Sequence, residues 1–150
     1  MSLQAIIIDD EQKSITSLKW ELQNFCEELD IKATFTDPEE ALSYLKKNIV
    51  HCVFLDIEMP KMDGFQFLEH FPDRQFSVIF TTAYDQYAIN AIKERALDYL
   101  LKPIDSDDLK QTIDKIKTQQ KSYEIKKSLE QSILSLSQNN RQSSKKIAIS

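Results

Sequence analysis

Apolar residues along the chain gather into short, nearly unbroken runs, each stopped by a polar or charged residue. Ala5-Ile6-Ile7-Ile8 ends at Asp9-Asp10, Cys52-Val53-Phe54-Leu55 at Asp56, Ser77-Val78-Ile79-Phe80 at Thr81-Thr82, and Asp98-Tyr99-Leu100-Leu101 at Lys102-Pro103. Strands covered on both faces read this way. The more mixed Ile31-Lys32-Ala33-Thr34-Phe35 predicts a further strand at a sheet edge. Between the strands the apolar spacing changes to three and four: Ile15, Leu18, Leu22, Phe25 and Leu29 predict one helix, and Ala41, Leu42, Leu45 and Ile49 another. Asp37-Pro38-Glu39-Glu40 opens the second helix with a cap, a first-turn proline and acids at the positive end of the dipole. A last helix is expected to start near residues 105–108 and to bury Leu109, Ile113 and Ile116. Strands alternating with helices predict an α/β fold, a doubly wound parallel sheet with right-handed crossovers.

Past Thr118 the stripe falters. Ile125, Leu129, Ile133 and Leu136 form a second, short amphipathic series in a different register, residues 137–144 are polar and low in complexity, and residues 145–150 read as the opening strand of something further. The expected organisation is therefore a globular domain over 1–118, a helical extension and polar linker over 119–144, and the start of a C-terminal domain over 145–150.

Charge follows the same division. Residues 1–118 carry 13 Lys/Arg against 22 Asp/Glu, net −9, and residues 119–150 carry 6 against 2, net +4. An acidic globular part is unsuited to binding nucleic acid by itself. With 41% hydrophobic and 29% charged residues the chain has the balance of a folded globular protein. No apolar stretch approaches the roughly 20 residues that cross a bilayer, and the start lacks a basic signal region, so the expected place is the cytoplasm, away from membranes. Cys26 and Cys52 lie in apolar runs without metal-ligand spacing and read as small buried hydrophobes, while His51 and His70 have no partner at motif spacing.

In open parallel sheets the binding crevice lies at the carboxyl ends of the strands, which here present Asp9, Asp10, Asp56, Thr82 and Lys102. Clustered carboxylates repel one another unless a hard cation neutralises them, and an all-oxygen donor set beside a phosphate site points to Mg²⁺ rather than Zn²⁺. A carboxylate in such a place can attack phosphorus and form an acyl phosphate. The Lys102 ammonium and the Thr82 hydroxyl suit the charge that develops on the phosphoryl oxygens.

Ile6-Ile7-Ile8-Asp9-Asp10-Glu11, Asp56-Ile57-Glu58-Met59-Pro60-Lys61-Met62-Asp63-Gly64, Thr82-Ala83 and Lys102-Pro103 stand in an order and spacing that resembles the response-regulator receiver family of two-component signalling, over about residues 3–118. The resemblance implies a flavodoxin-like five-stranded sheet of order 2-1-3-4-5 with helices on both faces. It implies Asp56 as phospho-acceptor, Asp10 and Asp56 as direct Mg²⁺ ligands, Asp9 as a ligand through water, the Glu58 main-chain carbonyl as a further ligand, Thr82 and Lys102 as the phosphate-sensing pair, and Tyr99 as the switch aromatic. A sensor histidine kinase is the implied partner. Phosphorylation is expected to act through the fourth helix, fifth strand and fifth helix, including Ile89, Ile92, Lys93, Tyr99 and the region of Asp107, with a phosphorylation-dependent homodimer as one outcome. Thr81-Thr82-Ala83-Tyr84-Asp85-Gln86-Tyr87-Ala88 with Asp98-Tyr99-Leu100-Leu101-Lys102-Pro103-Ile104 is similar to the subgroup whose receivers precede a LytTR-type DNA-binding domain. Residues 145–149 would suit that domain's first strand, so DNA is expected to be contacted only through a domain that lies past residue 150.

Two positions depart from the family pattern. Arg95 stands where a glycine often ends the fourth helix, which implies a locally different turn, and the large Tyr84 lies two residues after Thr82. Glu58 and Tyr84 are the residues expected to govern the access of water to a phosphorylated Asp56. An enzyme reading, a Mg²⁺-dependent phosphohydrolase of the haloacid-dehalogenase-like kind, fits poorly because Glu58 replaces the second aspartate of that motif. The chain is thus expected to be a switch, with no catalysis beyond its own phosphorylation and slow dephosphorylation.

Overall fold

In the computed structural model the described residues are 3–149, with side chains described through residue 138. Five strands, β1 (Leu3–Ile8), β2 (Leu29–Phe35), β3 (Cys52–Asp56), β4 (Ser77–Thr82) and β5 (Asp98–Leu101), alternate with helices α1 (Gln12–Phe25), α2 (Pro38–Lys47), α3 (Gly64–Glu69), α4 (Ala88–Lys93) and α5 (Ser106–Ile149). All strand pairs are parallel, in the order β2-β1-β3-β4-β5. That is the expected doubly wound fold.

The alternation of strand side chains divides the core in two. On one face Ala5, Ile7, Cys52, Phe54 and Ile79 meet Ile15, Leu18 and Leu22 of α1 and Leu109, Ile113 and Ile116 of α5. On the other, Ile6, Ile8, Val53, Leu55, Val78 and Phe80 meet Ala41 and Leu42 of α2, Phe67 and Leu68 of α3 and Ala91 of α4. Cys26 and Cys52 are buried, and burial pushes the Cys52 thiol up to about 12.

Several sequence expectations need adjustment. The α1 stripe ends at Leu22: Phe25 is half exposed, packed edge-on to Trp20, and Leu29 already belongs to β2. Ile49 lies past the end of α2 and is exposed, while Val50 takes the buried place. His51 is structural, its Nδ1 accepting the Gln4 N–H at 2.8 Å.

Arg95 does not alter its turn. It adopts φ 60°, with Ala96 N–H donating to the Ala91 carbonyl at 3.1 Å and Arg95 N–H to the Ile92 carbonyl at 3.0 Å. This is the Schellman closure that glycine usually makes.

The chain forms two compact units, residues 1–116 and 117–150. The second is helical to Ile149, where a linker over 137–144 and a strand from 145 were expected. Its Gln, Lys, Glu, Ser and Leu residues include neither proline nor glycine, so nothing local breaks the helix. Tyr123, Ile125, Leu129, Ile133, Leu134 and Leu136 are exposed on it. Among the described residues no helix is long and apolar enough to cross a membrane.

Candidate functional site

Strand register gathers the site. Ile8 pairs with Leu55, Asp56 with Thr81, and Thr82 with Leu101, so Asp9, Asp56, Thr82 and Lys102 arrive at one edge of the sheet. Main-chain N–H groups hold the loops that leave this edge. The Glu11 N–H donates to Asp9 Oδ1 at 2.9 Å, turning the chain into α1. The Lys102 N–H donates to the Thr82 carbonyl at 2.7 Å, fixing the end of β5 beside the end of β4.

After β3, the Gly64 N–H donates to the Ile57 carbonyl at 2.8 Å, folding the loop back against the strand. A Cβ at Gly64 would lie 2.7 Å from the Asp56 carbonyl oxygen and 3.2 Å from Ile57 Cα, so a side chain at this position would push directly on the backbone of the central aspartate. Asp63 then starts α3 with a capping box, its side chain accepting from the Gln66 N–H at 2.8 Å while Gln66 Oε1 accepts from the Asp63 N–H at 2.9 Å.

Asp9, Asp10 and Asp56 each offer a carboxylate oxygen, and these oxygens lie within 4.8 Å of one another. Asp9 and Asp56 are buried and Asp10 is partly exposed. Lys102 Nζ reaches across to Asp9 Oδ2 at 2.7 Å and Asp56 Oδ1 at 3.6 Å. Burial, the Asp9 charge and the neighbouring Asp10 push the Asp56 carboxyl up to about 8, against the opposing pull of Lys102. Burial works against the Lys102 charge too, but the hydrogen bond to Asp9 and the nearness of Asp56 outweigh it and raise its pKa. Three carboxylates with one ammonium leave an excess of negative charge. That surplus and an all-oxygen donor set fit a hard divalent cation.

Thr82 is fully buried, and its Oγ1 accepts the Tyr84 N–H at 3.2 Å. Tyr84 is about half exposed (48%), and its carbonyl accepts a hydrogen bond from the Tyr99 hydroxyl, which ties β5 to the loop after β4. Tyr99 itself is partly buried. The Glu58 side chain is exposed and stands apart from the three clustered carboxylates, accepting a hydrogen bond from the Tyr87 hydroxyl.

A cavity of about 340 Å³ opens beside Asp10, lined also by Glu58, Met59, Pro60, Asp63 and Tyr87. Tyr87 stands in the sequence only as part of the subgroup segment 81–88, and no spacing rule links a tyrosine five residues past Thr82 to a glutamate two past Asp56.

The family model for the response regulator receiver domain matches residues 5–114. The sensory transduction protein LytT of Bacillus anthracis is 37% identical over 122 residues, 80% of this chain and 49% of LytT. The transcriptional regulatory protein BtsR of Salmonella typhimurium is 31% identical over 124 residues, 82% of this chain and 52% of BtsR. The crystal structure of the response regulatory domain of protein mrkE from Klebsiella pneumoniae superposes with a TM-score of 0.74 at 27% identity, covering 80% of this chain and 99% of that one. The chain spans about half the length of the curated relatives it matches. With its strand order, its carboxylate cluster and a family match that runs from β1 into α5, this chain belongs to the response-regulator receiver family.

Proposed function

We propose that Asp56 is the phospho-acceptor of this receiver, and the observation that carries the proposal is its position. Asp56 ends the central strand, beside Asp9 and Asp10, with an ammonium 3.6 Å from one of its oxygens. An Asp56 carboxylate oxygen attacks phosphorus, and the bond from phosphorus to the donor breaks with its electron pair leaving on the donor. The donor is a phosphohistidine of a sensor kinase, or a small acyl phosphate in its place. Lys102 can pair with a phosphoryl oxygen in place of Asp9, and the Thr82 hydroxyl can donate to another, so the two side chains report the phosphoryl group to the loops they anchor.

Asp10 and Asp56, with Asp9 through water and the Glu58 main-chain carbonyl, are the groups that would hold Mg²⁺. When bound, Mg²⁺ neutralises charge on the carboxylates and on the phosphoryl oxygens.

Glu58 and Tyr84 flank the approach of water and set how long the acyl phosphate lasts. Tyr99 is the switch aromatic, because its hydroxyl is held by the residue whose N–H binds Thr82. The chain acts as a switch rather than a turnover enzyme. The basic segment from residue 119 leads toward an output domain of the LytTR DNA-binding kind; its support is the doubled length of the relatives and the standing of BtsR as a transcriptional regulatory protein.

Intact-mass spectrometry after incubation with acetyl phosphate and Mg²⁺ tests the acceptor. The protein should gain one phosphoryl group, and Asp56→Asn should gain none. Labelling of Asp56→Asn at the unsubstituted rate would refute the assignment.

A further inference from the structure

The hydrogen bond from the Tyr87 hydroxyl to the Glu58 carboxylate joins two loops that leave neighbouring strands, the one after β3 and the one that leads into α4. Both residues line the cavity that opens beside Asp10, so the bond lies at the mouth of the acidic site. Glu58 is exposed and lines this cavity together with the carboxylates of Asp10 and Asp63.

A glutamate side chain has three rotatable bonds, and an unanchored one at this place samples positions over the opening. The Tyr87 hydroxyl removes that freedom by tying the carboxylate to the residue that precedes α4. The Tyr87 ring is itself located by packing, with its centroid 6.1 Å from that of Phe65, which in turn packs at a tilt of 51° against Phe80 with centroids 4.9 Å apart. Phe80 belongs to the core beneath the sheet. The anchor therefore rests on a rigid element.

We propose that Tyr87 is a positioning residue for phosphoryl transfer: it pins the Glu58 carboxylate to the wall of the opening beside Asp10, so that this side chain does not swing across the path of an anionic phosphodonor. The inference rests on Asp56 being the acceptor. A phosphodonor carries negative charge, and each carboxylate free to lean over the opening raises the electrostatic barrier to its approach. Tyr87 touches neither donor nor acceptor in this scheme; it acts through Glu58.

The test is a double-mutant cycle read by intact mass against time with acetyl phosphate and Mg²⁺. Tyr87→Phe keeps the ring and its contact with Phe65 and removes only the hydroxyl. It should label at least about threefold more slowly than the unsubstituted chain, a barrier difference of about 0.65 kcal/mol. In a Glu58→Gln background, where no charge is left to release, Tyr87→Phe should change the rate by less than about 1.5-fold, and the difference seen with Glu58 present should shrink as salt is raised. A ring that served packing alone would give no slowing in Tyr87→Phe. Unslowed labelling, or slowing of equal size in the Glu58→Gln background, overturns the proposal. Absence of any mass gain in the unsubstituted chain would instead refute the Asp56 assignment, and the role of Tyr87 would fall with it.

Discussion

Asp56 occupies a position that works against folding. Burial and the Asp9 and Asp10 carboxylates raise its pKa from 3.8 to about 8, so without a cation the folded state favours the protonated acid. A carboxyl whose folded pKa lies above its unfolded value stabilises the fold fully below the unfolded pKa, near 4, and loses that contribution as pH rises through the folded one, near 8. The cation-free protein is therefore expected to lose thermal stability between about pH 4 and pH 8 through this group. Asp56→Asn should flatten that part of the profile and raise Tm at pH 8 by a few degrees, a gain of about 1 kcal/mol or more. Mg²⁺ should stabilise the unsubstituted chain at pH 8 by linkage and have little effect on Asp10→Ala. Differential scanning calorimetry across this range checks each point, and an Asp56→Asn Tm equal to or below that of the parent at pH 8 would contradict the electrostatic account. The carboxylates, Thr82 and Lys102 were legible in the sequence because each stops an apolar run, so the strand pattern alone carries them to one edge. The Tyr87–Glu58 and Tyr99–Tyr84 contacts were not, because they depend on side-chain directions that no period encodes.

At the scale of elements, the buried strands and the faces of α1, α2 and α5 follow from periodicity, and the misreadings fall where a helix stops. Phe25 and Leu29 continue the three-four spacing of α1 although the helix has ended, because a following strand also places an apolar residue inward. The six-residue α3 and α4 are too short to show a period, although the capping box of Asp63 and Gln66 marks the start of α3 in the sequence. The end of α4 gives a prediction of its own. Arg95 sits in the left-handed region at φ 60°, where a Cβ costs about 1 kcal/mol, and its closing bonds come from main-chain groups that any residue supplies. Arg95→Gly should keep the turn and stabilise the receiver by about 0.5–1 kcal/mol, the gain being reduced by the greater freedom of glycine in the unfolded chain. Urea unfolding checks it through a higher midpoint at unchanged slope. A lower midpoint would mean that the Arg95 side chain contributes more than its backbone conformation costs.

For the molecule as a whole, the question is how an event at Asp56 reaches a surface that another molecule can read. Ile89 and Ile92 on α4 are 68% and 76% exposed, and Leu101 at the end of β5 is 45% exposed. Large apolar side chains so placed on adjoining elements mark a contact surface. A short hydrogen-bonded path leads there from the site. Thr82 Oγ1 accepts the Tyr84 N–H, and the Tyr84 carbonyl accepts from the Tyr99 hydroxyl on β5. On the proposed role of Thr82, a hydroxyl drawn toward a phosphoryl group would weaken its bond to the Tyr84 N–H, the loop would shift, and Tyr99 would lose the acceptor that holds it. A phosphoryl group that binds one arrangement of this loop better than the other shifts the population between them. Beryllofluoride with Mg²⁺ should therefore alter amide exchange in α4, β5 and the first turns of α5 more than in α1 and α2, and should raise the dimer fraction seen by sedimentation velocity. Ile92→Asp should suppress the dimer without changing the mass gain with acetyl phosphate, because the residue lies outside the carboxylate cluster. Tyr99→Phe separates path from surface. It removes the hydroxyl and leaves the apolar face intact, so beryllofluoride should still bind while the exchange difference between the two states becomes smaller. Unchanged exchange and sedimentation on beryllofluoride binding would show that α4 and β5 do not carry the signal in this receiver.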